Sequence, residues 1–156
     1  MKARFRKSFH RSLDSKGRLM LPPEYRDIVS AASSSGGFTL VIYDECIVAC
    51  PTLEWEAFAE QIEQERNLDT KSRNLHRRMA GSSEELEIDP QGRMRISQSL
   101  MRYAGLNKDV VLVGLGGKFE IWDRLRFEDI KLDDTAHAAL DLAVKELAQR
   151  GIKLPL

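Results

Sequence analysis

Asp14-Ser15-Lys16-Gly17-Arg18-Leu19-Met20-Leu21-Pro22 returns from position 89 onward as Asp89-Pro90-Gln91-Gly92-Arg93-Met94-Arg95-Ile96-Ser97, with the Asp, Gly and Arg at unchanged spacing. Each copy leads into a short segment, Pro23 to Val29 in the first and Gln98 to Ala104 in the second, whose apolar residues fall at helical intervals. Strand-like runs follow. Phe38 to Tyr43 and Ile47 to Cys50 flank Asp44-Glu45, while Val110 to Leu115 and Phe119 to Trp122 flank Gly116-Gly117, so each half predicts a β-hairpin. A further helix comes after each hairpin. Thr52 is expected to cap one with Trp55, Phe58, Ala59 and Ile62 on its apolar face, and Asp123 a shorter one with Phe127 and Ile130.

One copy has too few strands to close a core, because an isolated hairpin is marginal in water. The expectation is therefore an α+β fold, two pseudo-repeated hairpin/helix halves (residues 1–80 and 81–156) packed as one β-barrel-like core with flanking helices. Two pieces lie outside the repeat. Asp69 to Ala80 predicts a helix with Leu75 and Met79 inward and Arg73, Arg77 and Arg78 outward. Ala136, Ala139, Leu140, Ala143, Val144, Leu147 and Ala148 mark a terminal amphipathic helix that Gly151 stops, and its apolar stripe needs a partner in this chain or in a neighbouring subunit.

The chain has 156 residues, 42% hydrophobic and 31% charged, which is enough apolar material for a packed interior without metals or crosslinks. Cys46 and Cys50, four apart on a strand rising about 3.3 Å per residue, have Cα atoms roughly 13 Å apart, too far for a disulfide. With no second ligand pair they read as buried thiols in a reducing cytosol, and no metal or cofactor is expected. No apolar run is long enough to span a bilayer, and the polar N-terminus leads into no export signal, so a cytoplasmic protein without membrane contact is expected. His10, His76 and His137 are scattered, and neither a nucleophile elbow nor a phosphate loop of Walker type occurs, so catalysis and a small-molecule substrate are not expected.

Net charge is zero, but its distribution is uneven. Residues 1–26 hold Lys2, Arg4, Arg6, Lys7, Arg11, Lys16, Arg18 and Arg26 against Asp14 and Glu24, whereas residues 44–66 hold seven acids against Arg66. A dipolar subunit with one basic face results, unless the two blocks pair with each other.

Within the repeated turn, Gly17 and Gly92 provide the positive φ of a tight hairpin, and Asp14 and Asp89 can accept hydrogen bonds from bare backbone N–H groups. Turn geometry asks for no guanidinium after the glycine, yet Arg18 and Arg93 stand there. Held by the Asp, each can contact a phosphate or a guanine edge in bidentate fashion, or it can simply staple its turn as a salt bridge.

These paired segments, with Leu-Met-Leu-Pro-Pro-Glu-Tyr-Arg after the first and Tyr103-Ala104-Gly105-Leu106, Val110 to Gly114 and Phe119-Glu120-Ile121-Trp122 after the second, resemble the MraZ family over nearly the whole chain. The resemblance implies a doubled form of the AbrB-like swapped-hairpin barrel. It further implies a homo-oligomeric ring, nucleoid-associated, that binds double-stranded DNA at short direct repeats in the promoter of the division and cell-wall gene cluster and regulates transcription. Arg18 and Arg93 become the DNA-contacting positions, aided by Lys16, Arg11, Lys7 and Arg95, with Asp14, Gly17, Asp89 and Gly92 ordering the loops. Ser97 departs from the pattern by replacing the proline that matches Pro22, and Met79-Ala80 replaces a more aromatic stretch. The rival reading is a non-enzymatic ring scaffold that binds proteins or RNA; the aromatic residues, Phe5 and Phe9 included, are spaced for the core rather than for stacking bases.

Because Gln91 replaces Lys16 and the second turn lacks neighbours like Lys7 and Arg11, the first turn is expected to bind phosphate more strongly. Arg18→Ala should then cost more affinity than Arg93→Ala and flatten the salt dependence more in a binding titration; equal losses contradict the expectation.

Overall fold

The computed structural model describes residues 4–132 and 136–152; Lys2, and the side chains of Ala136, His137 and Leu140, lie outside the described residues. The chain divides into one compact unit up to Arg124 and a second from Leu125. In chain order the elements are β1 (Ser8–Ser12), β2 (Arg18–Met20), α1 (Pro23–Ala31), β3 (Phe38–Tyr43), β4 (Cys46–Pro51), α2 (Thr52–Gln64), α3 (Thr70–Ser82), β5 (Glu84–Glu85), β6 (Arg93–Arg95), α4 (Gln98–Ala104), β7 (Asp109–Gly114), β8 (Phe119–Asp123), α5 (Arg124–Leu132) and α6 (Ala136–Gln149). This is the expected α+β architecture.

Strands of the two halves interleave in one sheet of order β1-β7-β8-β4-β3-β5, antiparallel throughout, which runs from β1 to β5 without closing. The β3–β4 and β7–β8 hairpins are those predicted. Asp44 and Glu45 both take positive φ, 50° and 63°, so the two-residue loop between Tyr43 and its partner Cys46 has the backbone twist that matches paired strands. Leu115 N–H donates to Lys118 O at 2.9 Å across the glycine pair of the second hairpin.

The remaining two strands make a separate ribbon. β2 pairs antiparallel with β6 in the register Arg18↔Arg95, Leu19↔Met94, Met20↔Arg93. Sequence reading expects the turn at Gly17 to join two strands that pair with each other, and the structure corrects this: β1 pairs with β7 while β2 crosses to the other half. The turn itself is closed, with Asp14 N–H on Arg18 O at 2.9 Å and Gly17 N–H on Asp14 O at 3.0 Å, and its second copy repeats both bonds. Leu19 and Met94 alternate inward and are buried at 1% and 0% exposure, so the ribbon is fastened to the core by its inner face.

In that core the Phe5 ring contacts those of Tyr25, Phe38 and Phe119, and Tyr25 contacts Phe119, with centroids 4.9–5.3 Å apart. Tyr25 is fully buried, and its hydroxyl donates to Lys7 O at 2.9 Å and Arg6 O at 3.1 Å, which hooks α1 to the start of β1. Burial pushes its phenol up to about 12. Phe5 is buried and Phe9 packs against the core, as their alternation suggests.

Four local expectations change. Thr52 is the first residue of α2, whose N-cap is Pro51; the Thr52 hydroxyl is 2.8 Å from that of Thr39 instead of capping the helix. Leu75 is 39% exposed, not inward, and Ile130 is 51% exposed. The helix expected to end at Ala80 continues to Ser82, whose buried hydroxyl accepts from Ile42 N–H. Asp69 does cap α3, through Ser72 N–H at 2.7 Å, and Ser97 caps α4 through Leu100 N–H at 3.1 Å. Gly151 stops α6 with φ 80°, and Leu142, Val144 and Leu147 are exposed along that helix.

Because each half donates strands to the other, neither residues 1–80 nor residues 81–156 should fold as a monomer, while the two segments coexpressed should copurify. A single half that melts cooperatively as a monomer in calorimetry and sediments as one chain overturns this.

Candidate nucleic-acid interface

Each turn presents one guanidinium in a fixed pose. Asp14 Oδ1 accepts from Lys16 N–H and Arg18 N–H, both at 2.9 Å, and Oδ2 accepts from Arg18 Nε at 2.7 Å. Asp89 repeats the pattern with Gln91 N–H at 3.0 Å, Arg93 N–H at 2.9 Å and Arg93 Nε at 2.8 Å. One carboxylate therefore closes the turn with one oxygen and aims the arginine with the other. These ion pairs lie at the surface, where solvent screens them, so orientation rather than stability is their main effect. With Nε occupied, the Nη1–Nη2 end of each arginine faces outward. Arg18 leaves both Nη groups without a partner among the described residues, while Arg93 Nη2 lies 3.4 Å from Gln91 Oε1. That end matches two oxygens of a phosphate, or O6 and N7 of guanine.

Ribbon register then gathers the cations. Arg18, Met20, Arg93 and Arg95 alternate to the outer face, with Arg18 directly opposite Arg95 and Met20 opposite Arg93. Like charges directly opposite on paired strands repel, and among the described residues Arg95 has no ion-pair partner. An anion at this face relieves that repulsion.

Each turn depends on the other half. Ile96 N–H donates to Gly17 O at 2.8 Å, and Leu21 N–H to Gly92 O at 3.1 Å. Gly17 has φ 75°, and a Cβ there would stand 2.5 Å from Ile96 O, so both conformation and space demand glycine. Gly92, at φ 86°, is overlaid by Arg26: a Cβ there would meet Arg26 Nη1 at 2.8 Å.

Of the expected site residues, Arg18, Arg93, Arg95, Lys16, Asp14, Gly17, Asp89 and Gly92 come together on the ribbon and its turns. Arg11 plays a different part. Its Nε donates to Met20 O at 2.9 Å and its Nη1 to His10 O at 2.8 Å, with the guanidinium 5.4 Å from the Phe9 ring centre, so it fastens β2 to β1. Lys7 stands at the end of β1 remote from the turn, where its φ of 66° shapes the bend that Tyr25 holds. Of the three cations expected to favour the first turn, only Lys16 lies in it. Arg26 is the residue that the linear sequence assigns only to the basic block; the sole hint of its place is that it and Met101 follow Gly17 and Gly92 at equal spacing.

Burial raises both thiols, Cys46 strongly and Cys50 to about 11, which favours the neutral thiol over the thiolate at each. A cleft of about 430 Å³ lined by Arg4, Phe5, Ile28, Phe38, Glu54 and Lys118 shares no residue with the turns. Among the described residues, no helix is long and apolar enough to cross a membrane.

A duplicated α+β unit whose halves exchange strands and aim paired, Asp-tethered arginines outward defines the class. The MraZ protein family model matches residues 5–78 and again residues 79–150, and the chain belongs to that family. It is 47% identical over 148 residues to the transcriptional regulator MraZ of Nitratidesulfovibrio vulgaris strain Hildenborough, covering 95% of this chain and 96% of the relative. It is 40% identical over 152 residues to that of Oleidesulfovibrio alaskensis, covering 97% and 99%, and 40% identical over 131 residues to that of Nitrosomonas europaea, covering 83% and 86%.

The Asp14 carboxyl is held down at about 2, from an ordinary 3.8, chiefly by the Arg18 backbone N–H; burial opposes this, and the Arg18 side chain lowers it further. A depressed folded value stabilises the turn fully above the unfolded value of 3.8 and loses that contribution as pH falls towards about 2. Carboxyl-carbon NMR should show Asp14 titrating near 2 in wild type and only partly relaxed upward in Arg18→Ala, since the larger cause is the backbone bond. A return to an ordinary value in Arg18→Ala shows instead that the guanidinium dominates.

Proposed function

We propose that this chain is a sequence-specific DNA-binding transcriptional regulator. It acts as a closed homo-oligomeric ring on short direct repeats in the promoter of the division and cell-wall gene cluster, in the cytoplasm and on the nucleoid. Its DNA contacts come from Arg18 and Arg93, flanked by Lys16 and Arg95. Asp14 and Asp89 aim them, and Gly17 and Gly92 permit the turns. The observation that carries this reading is the pair of guanidinium groups tethered through Nε by equivalent carboxylates on the outer face of one two-stranded ribbon, with both Nη groups of Arg18 and Nη1 of Arg93 left without a partner among the described residues. A tether that served only to staple the turn would not require an uncompensated Arg95 opposite Arg18. Family membership and the name carried by the relatives support it.

A narrow two-stranded ribbon is of a size to enter the major groove, where arginine ends reach guanine edges and phosphates. One subunit brings few such contacts, so its binding is weak and easily screened by salt. A ring repeats the ribbon, and after the first repeat is engaged each further contact is intramolecular, raising affinity without new chemistry. Because a closed ring cannot lie flat along a straight duplex, engagement requires bending of the DNA or distortion of the ring.

A gel-shift of the upstream promoter duplex tests this. Wild type should bind at low ionic strength, and Arg18→Ala and Arg93→Ala should each lose about 1–3 kcal/mol per engaged turn. A variant that assembles only as a monomer should bind poorly with all arginines intact. Indifference of wild type to the duplex, or equal affinity after both arginines are removed, overturns the reading, and preference for a protein bait or for RNA favours the scaffold.

A further inference from the structure

We infer that Arg26 is a further phosphate-contacting residue, which the first half lends to the turn of the second half. This rests on the DNA-binding reading above and goes beyond its residues. Arg26 is the fourth residue of α1, with its backbone N–H on Pro22 O at 2.9 Å, and its side chain lies over Gly92. The Cβ position at Gly92 would be 2.8 Å from Arg26 Nη1, 3.1 Å from its Cδ and 3.6 Å from Met20 Sδ. Met20 belongs to the outer face and pairs with Arg93, so Arg26 lies at the second turn, over the glycine that directly precedes the second tethered arginine. Arg26 is partly buried as a residue, and among the described residues its guanidinium has no hydrogen bond and no ion pair. A charged group gives up part of its hydration in such a place only where an anion or solvent completes its shell.

The pseudo-symmetry gives this arrangement a logic. Met101 stands in the second half where Arg26 stands in the first, and its Sδ lies 3.6 Å from the Cβ position of Gly17. Each turn is thus overlaid by a side chain from the other half's helix, a thioether at the first and a guanidinium at the second. The ribbon strands show the opposite exchange: Arg95 of the second half faces the first turn's Arg18, and Met20 of the first half faces Arg93. Each turn therefore has one tethered arginine and one cation supplied by the other half, Arg95 for the first and Arg26 for the second.

The full-length protein is titrated with its upstream promoter duplex by fluorescence anisotropy across a salt series, with melting temperature followed for every variant. Arg26→Ala should weaken binding about tenfold and reduce the slope of log affinity against log salt by about one per engaged subunit. Arg26→Lys, which keeps the charge but not the fork, should restore most of the slope. Met101→Arg, which sets a second guanidinium over the first turn, should steepen the slope by a similar amount, and it tests the geometry without removing Arg26. A purely structural role lowers melting temperature and affinity in Arg26→Ala but leaves the slope unchanged, and that result, or an unchanged slope in Met101→Arg, overturns the inference. Failure of wild type to bind the duplex overturns the DNA reading itself and is distinguishable, because no variant then shows a salt slope.

Discussion

The antiparallel pairing of Arg18-Leu19-Met20 with Arg93-Met94-Arg95 is the constraint from which the rest follows. Three residue pairs are a weak ladder by themselves. They persist because Leu19 and Met94 are sealed into the core and because the glycine carbonyl of each turn is bonded by the flanking strand of the other half. A strand this short cannot form within one half alone, so folding of the interior and presentation of the turns are a single event. The rigidity of the site is inherited from the core rather than from the loop, as precise positioning of a recognition group requires.

That pairing also concentrates charge. A chain with zero net charge carries a ribbon on which Arg18 and Arg95 face each other across the ladder while Arg93 and Arg26 crowd the second turn. Repulsion among them is held in the native state by packing beneath. Asp14 and Asp89 moderate it only at the Nε side, which leaves the outward ends electropositive. The acids of α2 and the buried aromatic cluster around Phe5 and Tyr25 lie on other elements, so the interior is apolar where it must hold and the surface is cationic where the turns emerge.

Local chemistry was legible wherever the cause was local. An Asp accepts from N–H groups two and four residues ahead whatever the fold, a glycine takes positive φ at small cost, and alternating apolar runs about Asp44-Glu45 and Gly116-Gly117 pair as hairpins. Errors arose where a side chain had a choice of partner. Thr52 found the Thr39 hydroxyl instead of its own helix, and Leu75 lies on a stripe whose inward sense depends on which surface it meets. Arg11 and Lys7 illustrate the same limit: both belong to the basic block, yet a strand carries one to a carbonyl of β2 and leaves the other at its far end.

By itself, then, the order of residues determined the duplicated turn, its tethered arginine, the hairpins and the short helices, because each arises from interactions within a few residues along the chain. Tertiary structure alone decided which strand β2 would join, that Arg95 would face Arg18, and that Arg26 would cover a glycine in the other half. A run such as Arg-Leu-Met specifies an inner and an outer face but names no partner. The partner is chosen by the register in which two distant segments bury their apolar sides together, and that register places the cations.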